Sequence, residues 1–201
     1  MKILYVDISR YEYEDLRRYE ALLPPERREK IARFRFDGDK LRSLVAGLLL
    51  RHEIGERAVA LGEHGKPYAE DVYFSLSHSG SIVAIAVDDA EVGCDVEEIA
   101  QESRLKIAER FYHPHERETV RNAADQPRAF TRIWTRKEAY LKMTGEGIST
   151  DLTAFDTDAP PLSDQIVSFD LEGYCLSVCS AEKLNADVAY ISEIELSRLL
   201  R

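Results

Sequence analysis

Val92-Gly93-Cys94-Asp95-Val96-Glu97 places two carboxylates inside an otherwise apolar, strand-like run. Side chains alternate faces along a β-strand, so Cys94 and Val96 are expected to face a core while Asp95 and Glu97 project together on the other side. Two like charges about 4 Å apart repel by roughly 4 kcal/mol at the effective dielectric near a protein surface. Solvent relieves that repulsion, and so does a hard divalent cation with oxygen ligands. Alone, the pair fits either an exposed acidic face on an edge strand or part of a metal site.

Upstream, Ile3–Ile8 reads as an opening strand and Tyr11–Leu23 as a short helix closed by Pro24-Pro25. Pro25-Glu26 starts a second helix, with the prolines where a missing N–H matters least. Asp37 is placed to cap a longer helix over residues 38–56. Its Leu41, Leu44, Val45, Leu48 and Leu49 fall at three- and four-residue spacings, which makes it a supplier of core. Gly65-Lys66-Pro67 marks a turn. Val72–Leu76 and Ile82–Val87 read as neighbouring strands joined by Ser77-His78-Ser79-Gly80-Ser81. The unbroken apolar run 82–87 predicts a central strand covered on both faces.

Asp88-Asp89 is the expected boundary between two halves, residues 1–89 and 90–201, with no flexible linker between them. Downstream, residues 102–111 read as a helix, and His113-Pro114-His115-Glu116 starts another that runs to about Ala123. Pro114 makes the two histidines a helix start and not a metal site. The longest helical pattern spans 127–144. Gln165–Leu171, Tyr174–Ser180 and Asp187–Ile194 read as three strands, the first two joined by the turn Glu172-Gly173, and a short helix starts at Glu195. Each half thus combines helices with a small antiparallel sheet, an α+β arrangement.

With 201 residues, 44% of them hydrophobic and 32% charged, the chain can bury a substantial core. Its net charge of −10 argues against a nucleic-acid binder. Local basic clusters at Arg27–Arg35 and Arg128–Lys142 nevertheless suit small anions. Cys94, Cys175 and Cys179 are odd in number and lie in apolar contexts, as expected of buried free thiols in a reducing compartment. The opening MKILYVDIS is too short for a signal or membrane segment. A cytoplasmic protein without a membrane partner is the expectation.

The helix over 127–144 carries Trp134, Glu138 and Lys142 at spacings of four, on one face. A Glu–Lys pair at that spacing is ordinary surface decoration. The large aromatic residue on the same face implies partial burial, however, and a partly buried Glu needs partners. A metal bridging Asp95, Glu97 and Glu138 would supply one.

Gly-x-Asp-x-Glu at 93–97, followed by Trp-x-x-Lys-Glu-x-x-x-Lys at 134–142, resembles the 4′-phosphopantetheinyl transferase family, in its monomeric, surfactin-synthetase-activating form. Phe74-Ser75-Leu76-Ser77-His78-Ser79-Gly80 is similar to that family's strand-end histidine motif, and Gly65-Lys66-Pro67 to its Gly-Lys-Pro turn. Pro25-Glu26-Arg27-Arg28-Glu29-Lys30 and Arg42-Ser43 resemble its coenzyme-phosphate-binding helices. The likeness runs from about residue 24 to residue 155, five motifs in order.

The resemblance implies two similar α+β halves with the active site in the cleft between them. It implies transfer of 4′-phosphopantetheine from coenzyme A to a serine of an apo acyl or peptidyl carrier protein, releasing 3′,5′-ADP. Asp95, Glu97 and Glu138 would hold Mg²⁺ against the pyrophosphate, and Lys142 would contact phosphate and the departing 3′,5′-ADP. Glu138 would hold metal, accept the serine proton, or both. His78 would meet the coenzyme's 3′-phosphate, with Arg27, Lys30, Arg42, Ser43, Lys66, Pro67 and Ser77 completing the anion and adenine site. Arg27 stands where close relatives often have lysine; the charge is kept and a fork geometry gained. A Mg²⁺-dependent pyrophosphohydrolase using the same carboxylates and a non-catalytic coenzyme A or carrier-binding module are the competing readings. Carrier proteins are typically acidic, as this chain is, so docking is expected to use local cations: Arg128, Arg132 and Arg136.

Overall fold

A computed structural model describes residues 1–62, 65–102, 104–147, 150–184 and 190–200. The chain opens with β1 (Lys2–Asp7), α1 (Tyr13–Leu16) and a 3-10 segment over Arg17–Leu22. Pro25 then starts α2 (Pro25–Ala32), and α3 (Asp37–Ile54) follows. Phe36, not Asp37, occupies the position before α3; Asp37 and Asp39 lie in its first turn, where carboxylates favour the helix dipole. Next come β2 (Ala60–Leu61), β3 (Pro67–Tyr68), β4 (Tyr73–Ser79), β5 (Ile82–Asp88) and β6 (Val92–Glu98). The helices α4 (Leu105–Phe111), α5 (Pro114–Asn122) and α6 (Gln126–Thr144) precede β7 (Ile166–Leu171) and β8 (Tyr174–Ser180). The chain closes with β9 (Tyr190–Glu193) and α7 (Leu196–Leu199). Residues 187–189 of the strand predicted over Asp187–Ile194 lie outside the described residues.

The strands form a four-stranded sheet, β4-β5-β1-β9, a three-stranded sheet, β6-β8-β7, and the small ribbon β2-β3. Pairing is antiparallel except between β1 and β9, which run parallel. The last strand therefore joins the first sheet, where a second antiparallel set was expected. Its reason is apolar burial. Ile194, Leu196 and Leu199 pack into the same core cluster as α3, so the first sheet draws on residues from both sides of residue 89.

The layers run α3, first sheet, second sheet, α6. On one face of the first sheet, Leu4, Val6, Val83 and Ile85 pack with Leu44, Leu48 and Leu49 of α3. On its other face, Ile3, Ala84 and Ala86 pack with Cys94, Val96, Leu176 and Val178 of the second sheet. β5 is thus covered on both faces, as its apolar run predicts. The far face of the second sheet lies under α6, where Ala139 and Met143 cluster with Ile166 and Cys179. Cys94, Cys175 and Cys179 are buried free thiols.

The two sheets are joined along one edge by an arrangement that periodicity did not disclose. β4 extends to Ser79, so residues expected in a connection belong to a strand whose alternate side chains serve different neighbours. Phe74 and Leu76 turn towards the α3 core. Ser75, Ser77 and Ser79 turn towards the edge of β6, whose outward amides would otherwise lack acceptors. Their hydroxyls take the Cys94, Val96 and Glu98 N–H groups at 2.9, 3.3 and 3.1 Å. Side chains thus replace a backbone ladder. Because a hydroxyl also carries a proton, this seam leaves donors over for the acidic side chains of β6.

A second buried network fixes α6. Lys137 and Glu116 are both 0% exposed and pair at 2.7 Å. Lys137 also donates to the carbonyls of Leu152 and Phe155, each at 2.8 Å, while Glu116 accepts from the Thr157 amide and hydroxyl and the His113 amide. Every donor of the ammonium is used, which ties the segment 152–157 to the helix bearing Glu138.

Candidate active site

Gly93, Asp95 and Glu97 point towards α6. A Cβ at Gly93 would come closer than 3.0 Å to the Ala139 carbonyl oxygen and the Met143 amide nitrogen, so only glycine lets the helix lie this near the strand. That proximity brings Lys142 onto Asp95. The Lys142 ammonium donates to Asp95 Oδ1 at 2.7 Å, the Cys94 carbonyl at 3.0 Å and the Ser77 hydroxyl at 3.0 Å. Ser77 passes its own proton to Asp95 Oδ1 at 2.9 Å, and Ser79 donates to Glu97 Oε2 at 2.8 Å. Asp95 is 4% exposed, so the expected alternative of an exposed acidic face does not hold. Burial under α6 removes it from solvent.

The acidic group is short of partners. Asp95 Oδ2 is buried with no hydrogen bond, and Glu138 makes none among the described residues. Burial, first of all, raises the proton affinity of Asp95, outweighing Lys142 and Ser77. Burial and then the Asp95 charge raise Glu138, with Glu97 adding to the effect. Glu97 is raised by burial and, against its Ser79 hydrogen bond, by Asp95. For Lys142 burial opposes the charge, but Asp95 outweighs it and the ammonium is held protonated.

A cation site fits these residues: three carboxylates, one with an orphaned buried oxygen, share the single Lys142 ammonium. Among the described residues no group of three or more His, Cys, Asp or Glu side chains is already gathered closely enough to hold a metal ion by itself. Mg²⁺ does not require one, because it takes few protein carboxylates and fills its shell with phosphate and water oxygens.

The same carboxylates make a pH prediction. Their folded proton affinities lie above the unfolded ones, so the metal-free fold binds more protons than the unfolded chain. Their contribution to stability therefore falls as pH rises from the ordinary carboxylate value, about 4.3, through the raised folded values. Millimolar Mg²⁺ is expected to raise Tm more at about pH 8 than at about pH 5, where protons already relieve the site. Calorimetry showing an equal gain at both values would refute this.

The other face of β4 carries the basic group. Alternation puts His78 on the α3 side, opposite the serines. Its pKa is lowered by burial and then by the Arg42 charge, with Lys142 and Lys30 contributing. Lys30 is lowered by burial and by Arg27. Arg42 donates to the Gly80 carbonyl at 3.0 Å and to Asp39 at 2.7 Å. Cations crowded closely enough to lower one another's pKa suit a polyanion.

Lys66, Pro67, Leu76, Glu138 and Lys142 line a cavity of about 290 Å³. Lys66 spans the junction, pairing with Glu91 and donating to the Met143 carbonyl at 2.8 Å. Ser43 is not brought to this surface: one residue past Arg42, the helix turns it inward, where its hydroxyl is buried without a partner.

Arg136, which the sequence put forward for docking, is not available for it. It is buried beneath residues 157–158, donating to Thr157 and pairing with Asp158 at 3.4 Å. Arg128 pairs with Asp125 and Asp170, and Arg132 lies 3.9 Å from Asp170. The sequence showed three local cations but could not show which acids the neighbouring strand returns. His113 caps α5, and His115 lies 2.8 Å from Asp156. Ser75, Ser79, Glu91 and Tyr174 were missed; the Ser-x-Ser-x-Ser alternation in β4 was the available signal for the first two.

No helix among the described residues is long and apolar enough to cross a membrane. Residues 91–192, slightly more than half the chain, match the family model described as the 4′-phosphopantetheinyl transferase superfamily. The chain is 34% identical to the 4′-phosphopantetheinyl transferase psf-1 of Bacillus pumilus, over 99% of each protein. It is 29% identical to the 4′-phosphopantetheinyl transferase Sfp of Bacillus subtilis strain 168, over 98% of this chain and 100% of that one. To the 4′-phosphopantetheinyl transferase HetI of a Nostoc species it is 36% identical, over 68% of this chain and 60% of that one. The matched region begins where β6 brings its acidic pair under α6 and ends in β9, and with full-length likeness to named relatives on top of it, the chain belongs to the 4′-phosphopantetheinyl transferase superfamily.

Proposed function

We propose that this chain transfers 4′-phosphopantetheine from coenzyme A to a serine of an apo acyl or peptidyl carrier protein, releasing 3′,5′-ADP with the help of Mg²⁺. One observation carries the reading. Asp95 pairs with Lys142 at the seam, Glu97 and Glu138 lie close enough to feel the same ammonium, and the basic side chains Lys30, Arg42 and His78 stand nearby. A pyrophosphate fits between two such groups, and phosphoryl transfer asks the protein mainly for positioning and charge.

Asp95, Glu97 and Glu138 would hold the Mg²⁺, which when bound supplies positive charge to the pyrophosphate oxygens. Arg27, Lys30, Arg42 and His78 would receive the 3′-phosphate, and Lys66, Pro67 and Ser77 the neighbouring part of the coenzyme. The carrier serine attacks the phosphorus bearing the pantetheine, and the bond from that phosphorus to 3′,5′-ADP breaks. Glu138, with its raised proton affinity, would receive the serine proton. Lys142 donates to the departing oxygen. Residues 1–89 would thus chiefly serve the coenzyme, and 90–201 the metal, the chemistry and the carrier. A single chain holds all these groups, so a monomer suffices, and its coenzyme and free thiols suit the cytoplasm.

The carrier face we assign is the outer side of α4. Lys106 and Arg110 are exposed there with no ion pair among the described residues, flanking Ile107, which is 38% exposed. Arg104, at the start of the helix, lies near enough to influence Glu97. Incubation with coenzyme A, Mg²⁺ and an apo carrier should add one phosphopantetheine to the carrier by mass. Release of 3′,5′-ADP should require the carrier; release without an acceptor would favour the pyrophosphohydrolase. Reversing Lys106 and Arg110 to Glu should raise KM for the carrier about tenfold and leave KM for coenzyme A unchanged. Equal carrier KM values would move the docking face elsewhere.

A further inference from the structure

Ser79 and Tyr174 line no part of the cavity, yet Ser79 holds Glu97 and Tyr174 holds the turn that follows Ser79. Ser79 accepts the Glu98 amide at 3.1 Å, and its hydroxyl proton goes to Glu97 Oε2 at 2.8 Å. A hydroxyl has one proton to give, so this geometry fixes the direction in which Glu97 is held.

Ser79 is itself the last residue of β4, and its placement depends on the turn that follows. Gly80 adopts φ +52, a left-handed conformation that favours glycine. The turn is tethered from two sides. Arg42 holds the Gly80 carbonyl at 3.0 Å, and the Ser81 amide donates to the Tyr174 hydroxyl at 3.0 Å. The Tyr174 ring lies so close over Gly80 that a Cβ there would reach within 3.0 Å of it. Tyr174 opens β8 directly across from Glu98, so the clamp and the carboxylate belong to the same sheet.

We propose that Ser79 and Tyr174 are positioning residues that aim the Glu97 carboxylate, Tyr174 by clamping the Gly80-Ser81 turn and Ser79 through the hydrogen bond which that turn delivers. The proposal rests on the reading of Glu97 as a metal ligand. Groups that orient a metal-binding carboxylate change affinity by about 10–100-fold when removed.

The test measures Mn²⁺ binding by electron paramagnetic resonance on the protein carrying coenzyme A, beside steady-state kinetics. Ser79→Ala should weaken Mn²⁺ about 10–100-fold, and Tyr174→Phe should weaken it in the same direction. At saturating metal, kcat and KM for coenzyme A should stay near wild type, and Ser79→Thr, which keeps a hydroxyl, should restore binding. The double variant should be little worse than Ser79→Ala, since both act through one hydrogen bond. Unchanged Mn²⁺ affinity in both single variants would overturn the proposal while Glu97→Ala still loses metal. Loss of kcat at saturating metal together with a fall in Tm would also overturn it, by marking a purely structural role. If Glu97→Ala binds Mn²⁺ as wild type does, the metal reading itself fails and the proposal with it.

Discussion

Glu138→Gln is expected to lower the rate of carrier modification by about a hundred- to a thousandfold and to raise the Tm of the metal-free protein. The two effects share one cause. Glu138 is half-buried, has no hydrogen bond among the described residues, and sits close enough to Asp95 and Glu97 for their charges to raise its proton affinity. Glutamine keeps the shape and removes a charge that the metal-free fold cannot satisfy, so the repulsion is relieved. Catalysis loses a fixed negative charge that would hold the cation and accept a proton, and single preorganised groups of this kind supply about 10²–10³-fold. Stability gained by disarming a site is the signature of residues kept for function. The stability gain should grow with pH above the ordinary carboxylate range, because only the ionised Glu138 repels its neighbours. Calorimetry of the two proteins at several pH values, with a mass-shift assay for rate, checks both halves. A variant that loses activity and stability together would assign Glu138 a structural part.

Gly93→Ala should damage both stability and rate. The added Cβ would fall closer than 3.0 Å to two backbone atoms of α6, and backbone cannot swing aside as a flexible side chain does. Overfilling a packed site costs about 1–3 kcal/mol, occasionally more, and the upper end is expected where a helix must move bodily. The helix that moves carries Glu138 and Lys142, so the 2.7 Å contact of Lys142 with Asp95 opens as well. A displacement near 1 Å lowers rates by about 10²-fold in positioned sites. Gly38→Ala is the control. Its Cβ would meet only the Arg42 guanidinium at 3.7 Å, and inside a helix alanine stabilises by about 0.5–1 kcal/mol. Urea denaturation of both variants separates the outcomes; a Gly93→Ala protein as stable as wild type would show that α6 can yield.

Much of this was written in the sequence. The unbroken run 82–87 announced a strand buried on both faces, and β5 is that strand. The alternation of 92–97 placed Cys94 and Val96 in a core and Asp95 and Glu97 opposite them. The four-residue spacing from Trp134 to Lys142 put Glu138 and Lys142 on one face of α6. Each follows from local periodicity, because the side-chain direction in a strand or helix is fixed by the backbone that carries it.

What the tertiary structure alone decided is where those faces meet. The last strand crosses back to β1 because Ile194, Leu196 and Leu199 find their burial beside α3, a preference no window of sequence around β9 contains. Arg136 is consumed by residues 157–158, so a cation that looked free is not. Ser77 and Ser79 read as connection residues because hydroxyls carry no period of their own; the role they share with Ser75 exists only because the edge of β6 lies alongside with three amides to satisfy. The pair Asp95 and Glu97 could be solvated decoration or half a cation site as long as only the strand was known. Gly93 removes the first of these readings, by admitting α6 to the distance at which Asp95 loses its water and gains Lys142, and such long-range approach depends on packing between elements far apart in the chain.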